Sequence, residues 1–118
     1  MKEQSSDYIL RTQEGVTVVR LRPENLLGIL DVNRIQDRLS GLVEAGHHRM
    51  VIDLKYVRHA GSAALGMLIA LNQLIKSRNG QLVLSHTEFI EPLLEASRTR
   101  KLFVIAPDPR EAVRMCQG

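Results

Sequence analysis

The sequence contains few of the residue types that several functional classes need. Of its 118 residues, one is cysteine, two are tyrosine, two are phenylalanine and none is tryptophan. A single Cys116 can form neither an internal disulfide nor a thiolate metal cluster. With so few aromatic side chains the core must be aliphatic, and the flat rings on which nucleic-acid bases stack are scarce. We therefore expect no direct binding to nucleic acid.

Long apolar runs are also missing. The longest, Ala63 to Leu71 with one glycine inside it, is far shorter than the roughly 20 residues that span a bilayer. The first seven residues are polar or charged apart from Met1, and no apolar segment follows them as a secretory signal would require. We expect a cytoplasmic protein without membrane insertion, folded as a single domain over residues 1–118.

The formal net charge is only +3, and the basic residues are scattered along the chain except in one cluster, Arg98 to Lys101. A short cluster of this kind is usually solvated, and here it follows a predicted helix whose negative end it can neutralise. Contact with an acidic partner surface is the alternative for these residues.

Hydrophobic patterning predicts alternating strands and helices. Two β-rich runs, Tyr8–Leu10 and Val16–Leu21, flank Gln13-Glu14-Gly15 and read as an antiparallel hairpin. Beyond Pro23 we expect an apolar loop that packs (24–30), a helix capped by Asp31 and ended by Gly46, a buried strand (50–54), a helix (62–78), a strand (81–85), a helix (88–97), an edge strand (102–105) and a final helix (108–116).

This order predicts an α/β fold. Two antiparallel strands followed by helix–strand units give a mixed β-sheet of four to five strands, with an antiparallel N-terminal hairpin and about four helices laid on it. The later crossovers should be right-handed and parallel.

The most informative segment joins the buried strand to the second predicted helix. Met50 to Leu54 leads through a turn into Gly61-Ser62-Ala63-Ala64-Leu65-Gly66, which places one serine hydroxyl at a helix start. The first N–H groups of a helix have no intrahelical acceptor, and the helix dipole adds partial positive charge beside that hydroxyl. A phosphate on Ser62 would be well accommodated there.

In order and spacing this segment resembles the signature of STAS domains of the anti-sigma-factor antagonist type: Asp-Leu, five or six residues, then Asp-Ser-Ser/Thr-Gly-Leu-Gly. The matching residues are Asp53, Leu54, Ser62, Leu65 and Gly66. The chain departs from the signature in having Gly61 for Asp, and Ala63 and Ala64 for Ser/Thr and Gly.

The resemblance implies a partner-switching regulator with no catalytic residues and no cofactor. Such proteins bind an anti-sigma factor or serine protein kinase, are phosphorylated on the signature serine and are restored by a serine phosphatase. The partner-binding residues implied here are His59, Gly61, Ser62, Leu65, Gly66 and Ile69. Helical geometry places Leu65 and Ile69 among polar neighbours just beyond Ser62, so we expect both to be exposed at the contact surface.

Three alternatives stay open for Ser62. The hydroxyl can simply be the helix N-cap. The same helix face can be a permanent interface, since proteins similar to STAS domains are also subunits of bacterial lipid ABC transporters, and Gly61 and Ala63 dilute the kinase-substrate signature. A serine nucleophile with His59 as its base is disfavoured, because the segment is not Gly-x-Ser-x-Gly and no orienting acid is evident.

Other candidate sites are weak in the sequence. His47 and His48 point in different directions and have no further ligand at metal spacing, so we expect a solvated loop and no metal site. Gly61 to Gly66 lacks both the Gly-x-Gly-x-x-Gly pattern and a lysine followed by Ser/Thr, which disfavours nucleotide binding.

Overall fold

The computed structural model describes residues 2–117, which form one six-stranded mixed sheet, one two-stranded ladder and four α-helices. The strands are β1 (Lys2–Gln4), β2 (Tyr8–Gln13), β3 (Val16–Leu21), β4 (Asn25–Leu26), β5 (Arg49–Asp53), β6 (His59–Ala60), β7 (Gln81–Ser85) and β8 (Val104–Ala106). The helices are α1 (Ile29–Glu44), α2 (Ser62–Ser77), α3 (Glu91–Ser97) and α4 (Pro109–Gln117), with a 3-10 turn at Arg100–Leu102.

The large sheet has the strand order β1-β2-β3-β5-β7-β8. Its first three strands are antiparallel and the pairs β3–β5, β5–β7 and β7–β8 are parallel. The predicted fold class is confirmed, and the predicted hairpin is present: Glu14 and Gly15 form a two-residue turn with φ of 52° and 81°. β1 is an additional edge strand that the sequence patterning did not predict.

The sheet is covered on both faces. Leu21, Met50, Ile52 and Leu84 belong to the larger apolar cluster, which α1, α2 and α3 share. Val18, Val51 and Val83 alternate onto the other face and pack against α4. This double cover explains why the central strands read as continuous apolar runs.

The segment before α1 differs from the prediction. The expected loop at 24–30 contains β4, and α1 already begins at Ile29, with Gly28 rather than Asp31 as its N-cap. Asp31 lies inside the first helical turn, where its carboxylate accepts a hydrogen bond from Arg34 at 2.9 Å. The apolar residues of this segment were expected to pack, and of them Leu26 does, being 1% exposed.

The C-terminal elements shift by one to three residues relative to the predicted bounds. α3 begins at Glu91 rather than at 88. The 3-10 turn at Arg100–Leu102 takes up the predicted start of the edge strand, and β8 starts at Val104. At α4, Pro109 lies in the first turn as predicted, and Asp108 accepts a hydrogen bond from the Glu111 N–H at 2.9 Å.

Candidate functional site

Ser62 is positioned by the end of the central strand β5. Asp53, the last residue of β5, is fully buried, and its carboxylate accepts a hydrogen bond from Arg20 Nε at 2.6 Å. Its other oxygen accepts the Lys55 N–H at 3.1 Å, which starts the loop toward β6. A buried carboxylate that keeps two partners fixes the direction in which the chain leaves the sheet.

The Ser62 hydroxyl lies at the solvent-exposed start of α2. Gly61 is the N-cap, with extended backbone angles, and the first intrahelical bond runs from the Leu65 N–H to the Gly61 carbonyl at 3.1 Å. Ser62 is therefore the first helical residue, so the N-cap interpretation is wrong. Among residues 4–117 its Oγ has no hydrogen-bond partner, and no side chain caps the helix. The hydroxyl is reachable, beside N–H groups that point toward solvent.

The expectation that Leu65 and Ile69 are both exposed is wrong for Leu65. Leu65 is 8% exposed and belongs to the core, and Ile69 is half-buried and packs against that core. Neither residue provides the open apolar surface next to Ser62 that the helical geometry indicated. Ile69 retains a partly accessible edge one turn beyond Leu65.

Leu65 is buried because a second segment of the chain packs over α2. Leu65 faces a narrow apolar void, about 10 Å³, that is also lined by Ile90, Leu93 and Leu94 at the start and middle of α3. Further along α2, the buried Asn72 donates a hydrogen bond from Nδ2 to the Leu102 carbonyl at 2.9 Å. The α3 and 3-10 segment thus covers a side of α2 that a one-faced amphipathic helix would leave open.

Exposed apolar surface is present beside Ser62, on a different segment. Leu27, Ile29 and Leu30 are 54%, 63% and 80% exposed, and we call these three residues the apolar ridge. The sequence predicts that this apolar segment packs, and the exposure of the ridge shows that the prediction is wrong for these residues. Large aliphatic side chains exposed so close together are typical of interaction surfaces.

A short parallel ladder joins the segments that lead into the ridge and into Ser62. Asn25 pairs with His59 and Leu26 with Ala60 in this ladder, and the Arg58 N–H donates to the Glu24 carbonyl at 2.8 Å. The ridge is therefore held in a fixed position relative to the start of α2.

Gly61 is in direct contact with the ridge. A Cβ atom built on Gly61 would lie 3.3 Å from Leu27 Cδ2, closer than ordinary van der Waals contact. The departure from the STAS signature at position 61 therefore has a structural explanation, because a side chain there would displace Leu27.

The segment just before Ser62 contributes polar and cationic side chains. His59 is exposed, and the Arg58 guanidinium lies over the ring of Phe89, 4.3 Å from its centroid. Phe89 itself is 51% exposed. Stacking on a half-exposed ring holds the Arg58 charge near the surface.

Gly66 leaves free space on the exposed side of α2. A Cβ atom there would meet nothing within 4 Å, so the protein's own packing does not require a glycine. Within the described chain, no neighbouring loop comes close to this position.

The remaining candidates contribute little. Arg100 of the basic cluster bonds to Glu91 at 2.8 Å, while Arg98 and Lys101 are exposed. Among the side chains of residues 4–117, no three His, Cys, Asp or Glu residues lie in a group that could hold a metal ion. In that same range, none of the helices has the length and apolar content needed to cross a bilayer.

Comparison with known proteins gives the family and the fold. Residues 7–112 match the STAS domain family model, whereas no curated protein sequence matches the chain. Among solved structures, an anti-sigma factor antagonist from Mycobacterium paratuberculosis is similar at a TM-score of 0.78, with 20% identity, 94% of this chain and 93% of that chain covered.

Two further structures agree with this likeness. An anti-sigma-factor antagonist (STAS) domain protein from Planctomyces limnophilus has a TM-score of 0.81 and 19% identity, over 96% of this chain and 99% of its own. The Bacillus cell fate determinant SpoIIAA in its phosphorylated form has a TM-score of 0.69 and 15% identity, over 92% and 97%. The chain, with its signature strand, turn and serine-bearing helix start, belongs to the STAS domain family.

Proposed function

We propose that this protein is a non-catalytic, cytoplasmic partner-switching regulator of the anti-sigma-factor antagonist type. In this proposal it binds an anti-sigma factor or related serine kinase through the surface around Ser62, and phosphorylation of Ser62 releases it. A serine phosphatase restores the binding form. One observation supports the proposal most strongly: an exposed serine hydroxyl without a hydrogen bond lies at a helix start beside the apolar ridge.

The chemistry of the switch follows from this arrangement. A phosphate adds about −1.5 to −2 charges at neutral pH, and the dipole and free N–H groups at the start of α2 tolerate that charge in the free protein. A partner that desolvates the ridge would also have to desolvate the phosphate. Binding is therefore lost through charge, without a change of fold.

The contact surface we propose combines the ridge with the accessible residues among those that the STAS resemblance implies. His59, Gly61, Ser62 and Gly66 remain in it, together with the exposed edge of Ile69. Leu65 supports this surface from below rather than contacting the partner, since only 8% of it is exposed.

The decisive experiment pairs Ser62→Asp with Ser77→Asp against the anti-sigma factor or kinase encoded beside this protein. Ser77 is also exposed and on α2, but at the opposite end of that helix. Incubation with ATP and the kinase, followed by peptide mapping, should place the phosphate on Ser62 and leave Ser62→Ala unmodified. Ser62→Asp should weaken binding at least tenfold, about 1.4 kcal/mol, while Ser77→Asp binds normally.

Two results would contradict the proposal. Absence of phosphate on Ser62 with unchanged binding by Ser62→Asp would instead favour a permanent interface, as in a transporter complex. Unchanged binding by Leu30→Ser would remove the ridge from the surface, with Met115→Ser as control, because Met115 is 39% exposed on α4.

A further inference from the structure

A polar cleft lies at the opposite end of the central strand β5 from Ser62. A cleft of about 370 Å³ opens where the β2–β3 hairpin meets the loop from α1 to β5. Its side chains are those of Thr12, Thr17, His47, His48 and Arg49. This volume falls within the range of small-ligand sites, roughly 300–1,000 Å³.

One buried hydroxyl orients a histidine in this cleft. Thr17 is 3% exposed in a strand otherwise rich in valine, and its Oγ1 lies 2.7 Å from His47 Nδ1. A ring held through Nδ1 has a defined orientation, and where the threonine hydroxyl donates, the neutral ring carries its proton on Nε2. Within the described chain, Nε2 has no protein partner, so it is available to a ligand oxygen.

The cleft has cationic character without a matching acid. Arg49 is exposed and, among residues 4–117, forms no ion pair with a carboxylate. None of the residues that line the cleft is acidic. Glu44, the acid closest in sequence to His47, is held by Arg78 at 2.7 Å. The other nearby acid, Glu14, is exposed at the hairpin turn and does not line the cleft.

Two glycines keep the entrance wide. Gly15 and Gly46 also line the cleft, with φ of 81° and 111°, and a Cβ at either position would meet nothing within 4 Å. The left-handed backbone at both positions favours glycine, so neither residue places a side chain at the entrance of the cleft. A ligand can therefore approach the backbone closely.

We propose that this cleft binds the phosphate group of a small metabolite. The donors are the Arg49 guanidinium, the oriented His47 imidazole, the His48 imidazole and the Thr12 hydroxyl, and together they match the several acceptor oxygens of a phosphate. The site is separate from Ser62, and its occupancy does not depend on the partner-switching function.

The test is a ¹H–¹⁵N NMR titration of the full chain with inorganic phosphate at constant ionic strength. We expect saturable shifts at the amides of Gly15, Gly46 and His48. Arg49→Gln should weaken the affinity about tenfold, as loss of a charge-assisted hydrogen bond does, while Arg110→Gln, another exposed arginine, leaves it unchanged.

A second variant tests the oriented histidine. Thr17→Val keeps the shape of the side chain but removes the hydroxyl, and it should change the His47 ring ¹⁵N shifts and weaken phosphate binding. Shifts that grow linearly without saturation would overturn the proposal, as would an equal loss of affinity in Arg110→Gln. Acetate binding as tightly as phosphate would overturn the assignment of ligand class.

Discussion

Replacement of Gly66 by alanine should stabilise the protein and, at the same time, weaken partner binding. Gly66 lies in the interior of α2, it is exposed, and an added Cβ would meet no atom within 4 Å. Alanine in an exposed helix interior is favoured over glycine by about 0.5–1 kcal/mol, because the unfolded glycine has more conformational freedom to lose. For a chain of this size, the melting temperature should rise by about 2–5 °C.

Gly41 provides the matched control. It lies in α1, is exposed and likewise has no atom within 4 Å of an added Cβ. Gly41→Ala should therefore raise stability by a similar amount, measured for both variants by urea unfolding followed by circular dichroism.

The two variants should differ only in partner binding. If Gly66 leaves space for a partner's backbone, Gly66→Ala should lower the affinity for the anti-sigma factor or kinase by tenfold or more, about 1.4 kcal/mol, and Gly41→Ala should not change it. A loss of stability in Gly66→Ala would refute the open space at this position. Equal affinities in the two variants would refute its use by a partner.

Three further predictions concern the rest of the molecule. Gly80→Ala should destabilise the fold by about 3 kcal/mol or more in urea unfolding, because its Cβ would lie 2.1 Å from the His48 backbone oxygen; wild-type stability would show that this backbone can move. Hydrogen bonds from Arg34, opposed by burial, hold the pKa of Asp7 below its usual 3.8. The ionised Asp7 therefore stabilises the folded state fully above pH 3.8, and this contribution is lost as the pH falls through the lower pKa of the folded state. Asp7→Asn should lower the free energy of unfolding by about 1–3 kcal/mol at neutral pH. It should also weaken the pH dependence of the urea midpoint between about pH 5 and pH 2, and a pH dependence equal to that of the wild type would contradict the assignment. Burial raises the pKa of the Cys116 thiol to about 11, so a disulfide reagent at about pH 8 should react roughly a hundredfold more slowly with the folded than with the urea-unfolded protein, and equal rates would place the thiol at the surface.

Local signals in the sequence predicted the hairpin, the central parallel strands and the order of the helices, but not β1 or the β4–β6 ladder. Glu14-Gly15 determined the hairpin turn, and the apolar runs of β5 and β7 identified strands covered on both faces. The helix start at Ser62 was also placed correctly, because a glycine and a polar residue precede the apolar run of α2.

Contacts between distant segments could not be predicted from local sequence signals. Helical periodicity divides α2 into two faces, and nothing local indicates that the 3-10 turn receives the Asn72 amide or that α3 covers Leu65. The expected packing of Leu27 and Ile29 is wrong for a related reason. An apolar loop packs or is exposed according to whether another element covers it, and this segment is uncovered within the described chain.

The small ladder between β4 and β6 has a thermodynamic consequence. Its two residue pairs, with the bond from Arg58 to Glu24, hold two surface loops in a single arrangement before any partner arrives. Such preorganisation spares the complex the ordering cost that flexible loops impose on association. Free and partner-bound forms should then superimpose closely at this edge, and loosening the ladder should slow association without altering a single side chain that the partner touches.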